Sequence, residues 1–299
     1  MLTAVSPPFS AVARAAGSRM TPWRVVQGTY RRFGAGLPYL PDPMDPPLEE
    51  HQKDLGALYG LEFRSDFDFG SARRNTLCEM AEAMLPDLGH DVDEVDLVVL
   101  ARQTPDADFR RSVACWLNWR LPLAPTPVAV SDQGSAAGFT ALRMAHAYVT
   151  SAGLRRALVV LADQTSFAFD APSEQVPATD AMAAFVVEPV DPDDRALPAC
   201  VLPVVPDHVA SAASQLWQRV PTPLSETLVV VGPGIDPALF TGAAQVVTAE
   251  PGMPSTGVWG QLAERRFGLP YAALIDFAPG PSLLSIALLD VTDLRRGDS

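Results

Sequence analysis

Val130-Ser131-Asp132-Gln133-Gly134-Ser135-Ala136-Ala137-Gly138-Phe139-Thr140-Ala141-Leu142 is the stretch that decides how this chain folds. The residues leading into it, 127–130, are apolar and read as a strand. Phe139, Leu142 and His146 then recur at helical spacing. A turn of small residues between a strand and a helix exposes one side chain at the helix N-terminus, where the macrodipole favours a developing negative charge. Covalent enzymes place a nucleophile at such a point. Here the candidate position holds Ser135 or Ala136, and no cysteine stands near in sequence.

Outward from that turn, strand-like and helix-like stretches alternate. Residues 24–30 suggest a first strand, and the proline-rich residues 36–49 an irregular loop. Helical spacing runs through Leu77, Met80, Ala81 and Met84. Residues 95–101 (VDLVVLA) form a continuous apolar run, as a strand buried on both faces requires. A helix is predicted over 109–121 and another over 136–150, stopped by Gly153. Residues 154–162 and 181–188 read as two more buried strands. The polar, proline-rich stretch 189–198 marks a junction. Beyond it come strands at 200–205, 227–231 and 244–248 and helices at 210–219 and 255–267, the last with Ser255 as its N-cap. A helix start is predicted at 236–242. Two strands, 273–277 and 284–291, close the chain. The pattern is α/β layering with buried sheets, and the likeness of VDLVVLA to TLVVVG hints at a duplicated half.

The chain has 299 residues, 48% hydrophobic and 19% charged, which suits a large buried core. A net charge of −13 repels phosphate backbones and argues against nucleic acid as a partner. It repels an acidic carrier protein as well, unless Arg31/Arg32, Arg110/Arg111, Arg155/Arg156 or Arg265/Arg266 forms a basic patch. Three scattered cysteines, Cys78, Cys115 and Cys200, fit a reducing compartment, hence the cytoplasm, rather than a disulfide framework. All three are expected to be buried. They lack metal-site spacing. No apolar run reaches the ~18–20 residues of a membrane span. Residues 1–19 read as a flexible tail, 20–190 as one half and 191–299 as the other.

The order of these pieces resembles the thiolase-like superfamily, and within it the beta-ketoacyl-ACP synthase III group. Residues 95–104 (VDLVVLARQT) look like that group's strand before its acceptor-side loop, and 109–120 (FRRSVACWLNWR) like the helix after it. Residues 132–142 look like the nucleophile turn, 152–166 (AGLRRALVVLADQTS) like the strand that follows, and 180–188 like the Asp-Gly-Ala strand with its glycine lost. Residues 252–255 resemble the asparagine turn and 277–289 the closing hairpin. The resemblance implies an α/β thiolase-like fold of two similar βα halves in a five-layer αβαβα arrangement, in a dimer. It also implies acyl transfer to a cysteine followed by decarboxylative condensation with a malonyl-carrier.

The departures matter as much. Read from the left, the turn puts Ser135 at the cysteine position; read back from Gly138-Phe139, it puts Ala136 there. Where the group has histidine, after 227–231, this chain reads Gly232-Pro233-Gly234, and its last histidine is His208. No asparagine follows Asn118. Histidine and asparagine hold the enolate oxygen during condensation, and losing one such donor costs roughly 10²–10³ in rate. The backbone N–H of Gly280, in the glycine-rich loop, remains as an oxyanion donor, and Gln133, Ala136, Gly232 and Ser255 are expected to line the pocket. Ser135 reads either as a nucleophile, which needs a base, or as a capping serine. Asp132 reads as a catalytic carboxylate or a turn anchor, and Asp163 and Gln164 as pocket or loop-anchoring residues. His146 reads as structural, and His51, His90 and His208 are candidates to reach the pocket from another loop. Trp23, Trp116 and Trp119 read as core or dimer-face aromatics.

Two functions follow. One is a non-condensing partner subunit, in a homodimer or in a heterodimer with an active ketosynthase III-like chain, serving specialised acyl, polyketide or fatty-acid-type assembly. The other is an acyltransferase or thioesterase using Ser135. Neither needs a resident cofactor or metal. The ligand would be an acyl-CoA or the phosphopantetheine thioester of an acyl carrier protein, and a third reading is a binding protein that holds such a thioester without catalysis.

Overall fold

The computed structural model describes residues 19–38, 45–58, 62, 73–103, 106, 108, 110–166, 169, 176–191, 194, 196–265 and 267–296. The tail expected over 1–19 lies outside them, Arg19 excepted.

Among the described residues the strands of four residues or more are β1 (Trp23–Phe33), β2 (Leu97–Arg102), β3 (Thr126–Val130), β4 (Ala157–Asp163), β5 (Asp180–Pro189), β6 (Ala199–Pro203), β7 (Thr227–Val231), β8 (Gln245–Thr248), β9 (Tyr271–Ala278) and β10 (Leu283–Asp290). The first five lie in the order β3-β2-β4-β5-β1 and the last five in the order β8-β7-β9-β10-β6. In each set the first three strands of that order are parallel and the remaining two pairings antiparallel. The hint of duplication in two apolar runs is therefore a repeated topology. The two wings join through a short parallel contact, Trp23 with Leu289 and Arg24 with Asp290.

Among the described residues there are six helices: α1 (Asp45–Leu58), α2 (Leu77–Met84), α3 (Val113–Arg120), α4 (Ala137–Ala152), α5 (Val209–Trp217) and α6 (Gly257–Glu264). Alternation along the strands assigns each wing two faces. Leu97, Val99 and Ala101 of β2 and Leu228 and Val230 of β7 face a shared core with Phe139, Leu142, Val258, Trp259 and Leu262 of α4 and α6. Val98 and Leu100 turn the other way, onto α2 and α3. Val229 and Val231 likewise turn onto α5. The result is five layers, αβαβα, with α4 and α6 in the middle. Burial on both faces explains why these strands are unbroken apolar runs.

Several expectations change in detail. Residues 45–49 belong to α1, because Pro46 and Pro47 occupy first-turn positions where no backbone donor is lost. The helix expected over 109–121 covers Val113–Arg120, started by the Ser112 side chain accepting from Cys115 N–H. Only one 3₁₀ turn, Pro237–Leu239, forms at 236–242, capped by Asp236. Cys115 is exposed, whereas Cys78 and Cys200 are buried. No described helix is long and apolar enough to cross a membrane.

Candidate active site

The parallel strands of both wings end at one side of the molecule, and there a cavity of about 810 Å³ opens. Crevices beyond the carboxyl ends of parallel strands are where α/β sheets bind ligands. Gln103, Asp132, Gly134 and Ser135 line it from the first wing. Pro233, Gly234, residues 250–254 and residues 276–281 line it from the second.

The turn after β3 is built as its composition requires. Asp132 and Gly134 both have positive φ, 63° and 55°. Asp accepts the left-handed region better than most side chains, and Gly accepts it freely. Gly134 N–H donates to Gln103 Oε1 at 2.6 Å, which fixes the turn to the end of β2. A 3₁₀ turn, Gly134–Ala136, leads into α4. Ser135 therefore sits at the start of a sixteen-residue helix, on the cavity side. Ala136 is fully buried and not part of the lining.

Opposite the turn stands a residue that the sequence reading did not single out. Asp276, near the end of β9, lines the cavity and is 6% exposed. Burial pushes its carboxyl up to about 7, against the opposing pull of the Phe277 N–H and the Ser135 hydroxyl. Phe277 N–H donates to Asp276 Oδ1 at 2.7 Å. The Ser135 Oγ is itself buried and completes no full hydrogen bond. It is near enough to favour the ionised carboxylate, and such contacts commonly tighten when substrate binds.

Gly232 explains why Asp276 fits. A Cβ on Gly232 would overlap the Asp276 carboxyl. The position where the resemblance calls for histidine thus faces space already filled by an acid from the neighbouring strand. No motif around Asp276 signals this, since its partner at 232 comes from another strand.

Other expected residues fall away from the cavity. Gln133 turns along the helix, where its Oε1 accepts from the Thr140 hydroxyl, and it does not line the cavity. Gly232 and Ser255 are not lining residues either. Ser255 does not cap α6; Thr256 holds the N-cap position and uses no side chain for it. The cap comes from Asp163, at the end of β4. Its Oδ1 accepts from Ser255 N–H at 2.9 Å, and its Oδ2 from Thr256 N–H and Oγ1 at 2.8 and 2.7 Å. Burial raises the pKa of this fully enclosed carboxyl, and those donors oppose the rise. Asp163 thus anchors the loop that carries cavity residues 250–254. Gln164 donates to the backbone of Asn75 and to Asp106, anchoring a second loop. Gly280 does line the cavity, as does Asp132, whose carboxylate accepts from the Ser131 hydroxyl.

Of the histidines, His146 is buried edge-on against Trp23, and His90 pairs with exposed Asp93. Neither they nor His208 line the cavity; the side chain of His51 lies outside those described. Several arginines of the expected basic pairs meet carboxylates instead: Arg31 meets Asp87, Arg32 meets Glu250, Arg110 meets Asp108, and Arg156 meets Glu94 and Glu188. Among the described residues no cluster of His, Cys, Asp and Glu is placed to hold a metal.

No family model matches the chain. A stretch of 144 residues, 46% of the chain, is 28% identical to beta-ketoacyl-[acyl-carrier-protein] synthase III of Neisseria meningitidis, and the corresponding protein of Neisseria gonorrhoeae is 27% identical over the same length. The match spans 45% of the length of these relatives. Solved structures extend the likeness over nearly the whole chain. A 3-oxoacyl-(acyl-carrier protein) synthase from Burkholderia xenovorans superposes over 94% of this chain and 97% of its own, with a TM-score of 0.59 at 13% identity. The tetronic acid condensing enzyme AbyA1 covers 90% and 99%, with a TM-score of 0.58 at 18% identity. FabH of Pseudomonas aeruginosa covers 90% and 98%, at 0.54 and 16%.

Proposed function

We propose that this chain, which has the thiolase-like fold of the beta-ketoacyl-ACP synthase III group, is a non-condensing acyltransferase acting on acyl thioesters. Ser135 is the nucleophile and Asp276 its general base. The supporting observation is the Asp276 carboxyl beside Ser135, with a pKa near 7. A base poised near the working pH combines a useful ionised fraction with a useful basicity. The helix behind Ser135 and the 278–281 turn with Gly280 provide dipoles for the thioester oxygen.

Decarboxylative condensation is not part of this reading. The histidine and asparagine that would hold a malonyl enolate are absent from 232–234 and from 252–255, which read Gly-Pro-Gly and Gly-Met-Pro-Ser. The acyl group would arrive on a phosphopantetheine arm, from coenzyme A or a carrier protein, and the free thiols suit the reducing cytoplasm.

Incubating the purified chain with a panel of acyl thioesters and measuring intact mass tests this reading. A single acyl adduct is expected, mapped to Ser135 and lost in Ser135→Ala. An unmodified protein with every donor would sink it.

One observation favours the partner-subunit reading. Strand β3 lies at the sheet edge, and just before it Trp119 and Leu123 are 76% and 55% exposed. An edge strand flanked by exposed apolar side chains is a template for pairing with a second chain. Under that reading this edge pairs with another ketosynthase III-like chain or with a second copy. Trp119→Glu is expected to shift a dimer to monomer by light scattering. An unchanged mass distribution would remove this face as the interface.

A further inference from the structure

We infer that a recess at the amino ends of the strands is a second binding site, for a small uncharged amphiphile with an apolar body and one N–H or O–H donor. It shares no lining residue with the Ser135 cavity, and its test does not depend on the acyl-transfer reading.

The recess has a volume of about 960 Å³, the size of a small-molecule pocket. It lies at the opposite end of β7 from the first cavity. Leu228, near the start of that strand, lines the recess, whereas Pro233 and Gly234, just past the strand's end, line the cavity. Strand register opens it. Asp290 pairs with Arg24, and Arg295 pairs with Gln27. Residues 291–294 thus cover a span that takes β1 only Val25 and Val26, and Val291, Thr292 and Leu294 border the recess. At the same point the pairing of β1 with β5 shifts, between Val25 and Gln27. A bulge of this kind re-aims the side chain beside it.

That side chain is Gln27, which lines the recess and is 6% exposed. Its Nε2 donates to Asp87 O at 2.9 Å, which fixes the orientation of the amide. Its Oε1 is buried and accepts no hydrogen bond among the described residues. A buried acceptor without a donor carries its full desolvation cost, and a ligand N–H or O–H removes it. The charged groups of the lining are already answered: Asp87 accepts from Arg31, Asp91 meets Arg295, and His90 meets Asp93. An ionised ligand would enter without a counter-ion, so an uncharged one is favoured. The apolar body has its own surface. Leu228 and Leu262 are fully buried, while Phe267, Leu269, Val291 and Leu294 pack on the central core and stay only partly covered. Partly covered apolar side chains gathered in one recess gain from an apolar ligand laid over them.

The test titrates the full chain with octanamide, 2-nonanone and octanoate, followed by saturation-transfer NMR. The three share one alkyl chain and nearly one shape. Only octanamide brings a donor, and only octanoate a charge. Octanamide should bind about fivefold tighter than either of the others, because a site built around an unpaired acceptor rejects the analogue that lacks the donor. Gln27→Met keeps the length of the side chain and removes the acceptor. It should weaken octanamide about fivefold and leave 2-nonanone within about twofold, which also shows that the recess is still formed. None of the three ligands is an acyl donor, so the outcome leaves the Ser135 reading where it stands. Equal binding of octanamide and 2-nonanone, tightest binding of octanoate, or no octanamide bound at millimolar concentration would overturn the proposal. So would a preference for octanamide that survives Gln27→Met, or a variant that weakens both neutral ligands alike.

Discussion

Asp276→Asn is expected to lower acyl transfer by roughly 10²–10⁴-fold while making the protein more stable above pH 7. The two effects share one cause. Burial holds the carboxyl at about 7, against 3.8 for the free side chain. A carboxyl whose folded pKa is raised resists ionisation in the folded state. Below about pH 4 both folded and unfolded chains carry it neutral, and it costs nothing. Between about 4 and 7 the unfolded chain ionises while the folded chain does not, so stability falls as pH rises. Above 7 the full penalty stands, on the order of 4 kcal/mol. Asparagine keeps the shape and an acceptor for the Phe277 N–H without the charge. Thermal melts at pH 8 should therefore show a gain of roughly 5–10 °C, shrinking toward zero near pH 4. Wild-type activity should move in the opposite sense, rising with pH through about 7 as the base ionises. A variant less stable than wild type at every pH would remove Asp276 from this role.

Gly232→Ala is expected to cost about 3 kcal/mol, a large effect for one methyl group. The new Cβ would overlap the Asp276 carboxyl, and the backbone cannot retreat, because Gly232 N–H is bonded to Ile275 O at 2.8 Å in the sheet. The same change made in an Asp276→Gly background should be nearly neutral, since the space is then vacant. Chemical denaturation of the two single variants and the double variant gives the coupling directly. Additive costs would mean that the carboxyl does not occupy the place of a side chain at 232.

This pair shows where sequence reading reached and where it stopped. The strands were legible because each wing buries both faces of its sheet, which forces runs such as Leu97-Val98-Val99-Leu100 and Leu228-Val229-Val230-Val231. The turn at 132–135 is legible because left-handed backbone at Asp132 and Gly134 demands those residue types. The helix boundary at 255–257 was misread for a physical reason: the cap of α6 is Asp163, 92 residues away from Ser255. A serine before a helix looks like a local cap, and nothing nearby reveals a distant carboxylate doing that work.

Hydrophobic periodicity and turn chemistry by themselves determined a layered, duplicated α/β architecture and the tight turn that carries Ser135, because both depend on neighbours a few residues apart. Only the tertiary structure decided what faces Ser135. Ser135 and Asp276 belong to different wings, and they meet because both sheets end at the same side of the central helices. The pKa of Asp276 follows from that enclosure, since the loss of water around a carboxyl is a property of the packed cavity and is written at no single position of the chain.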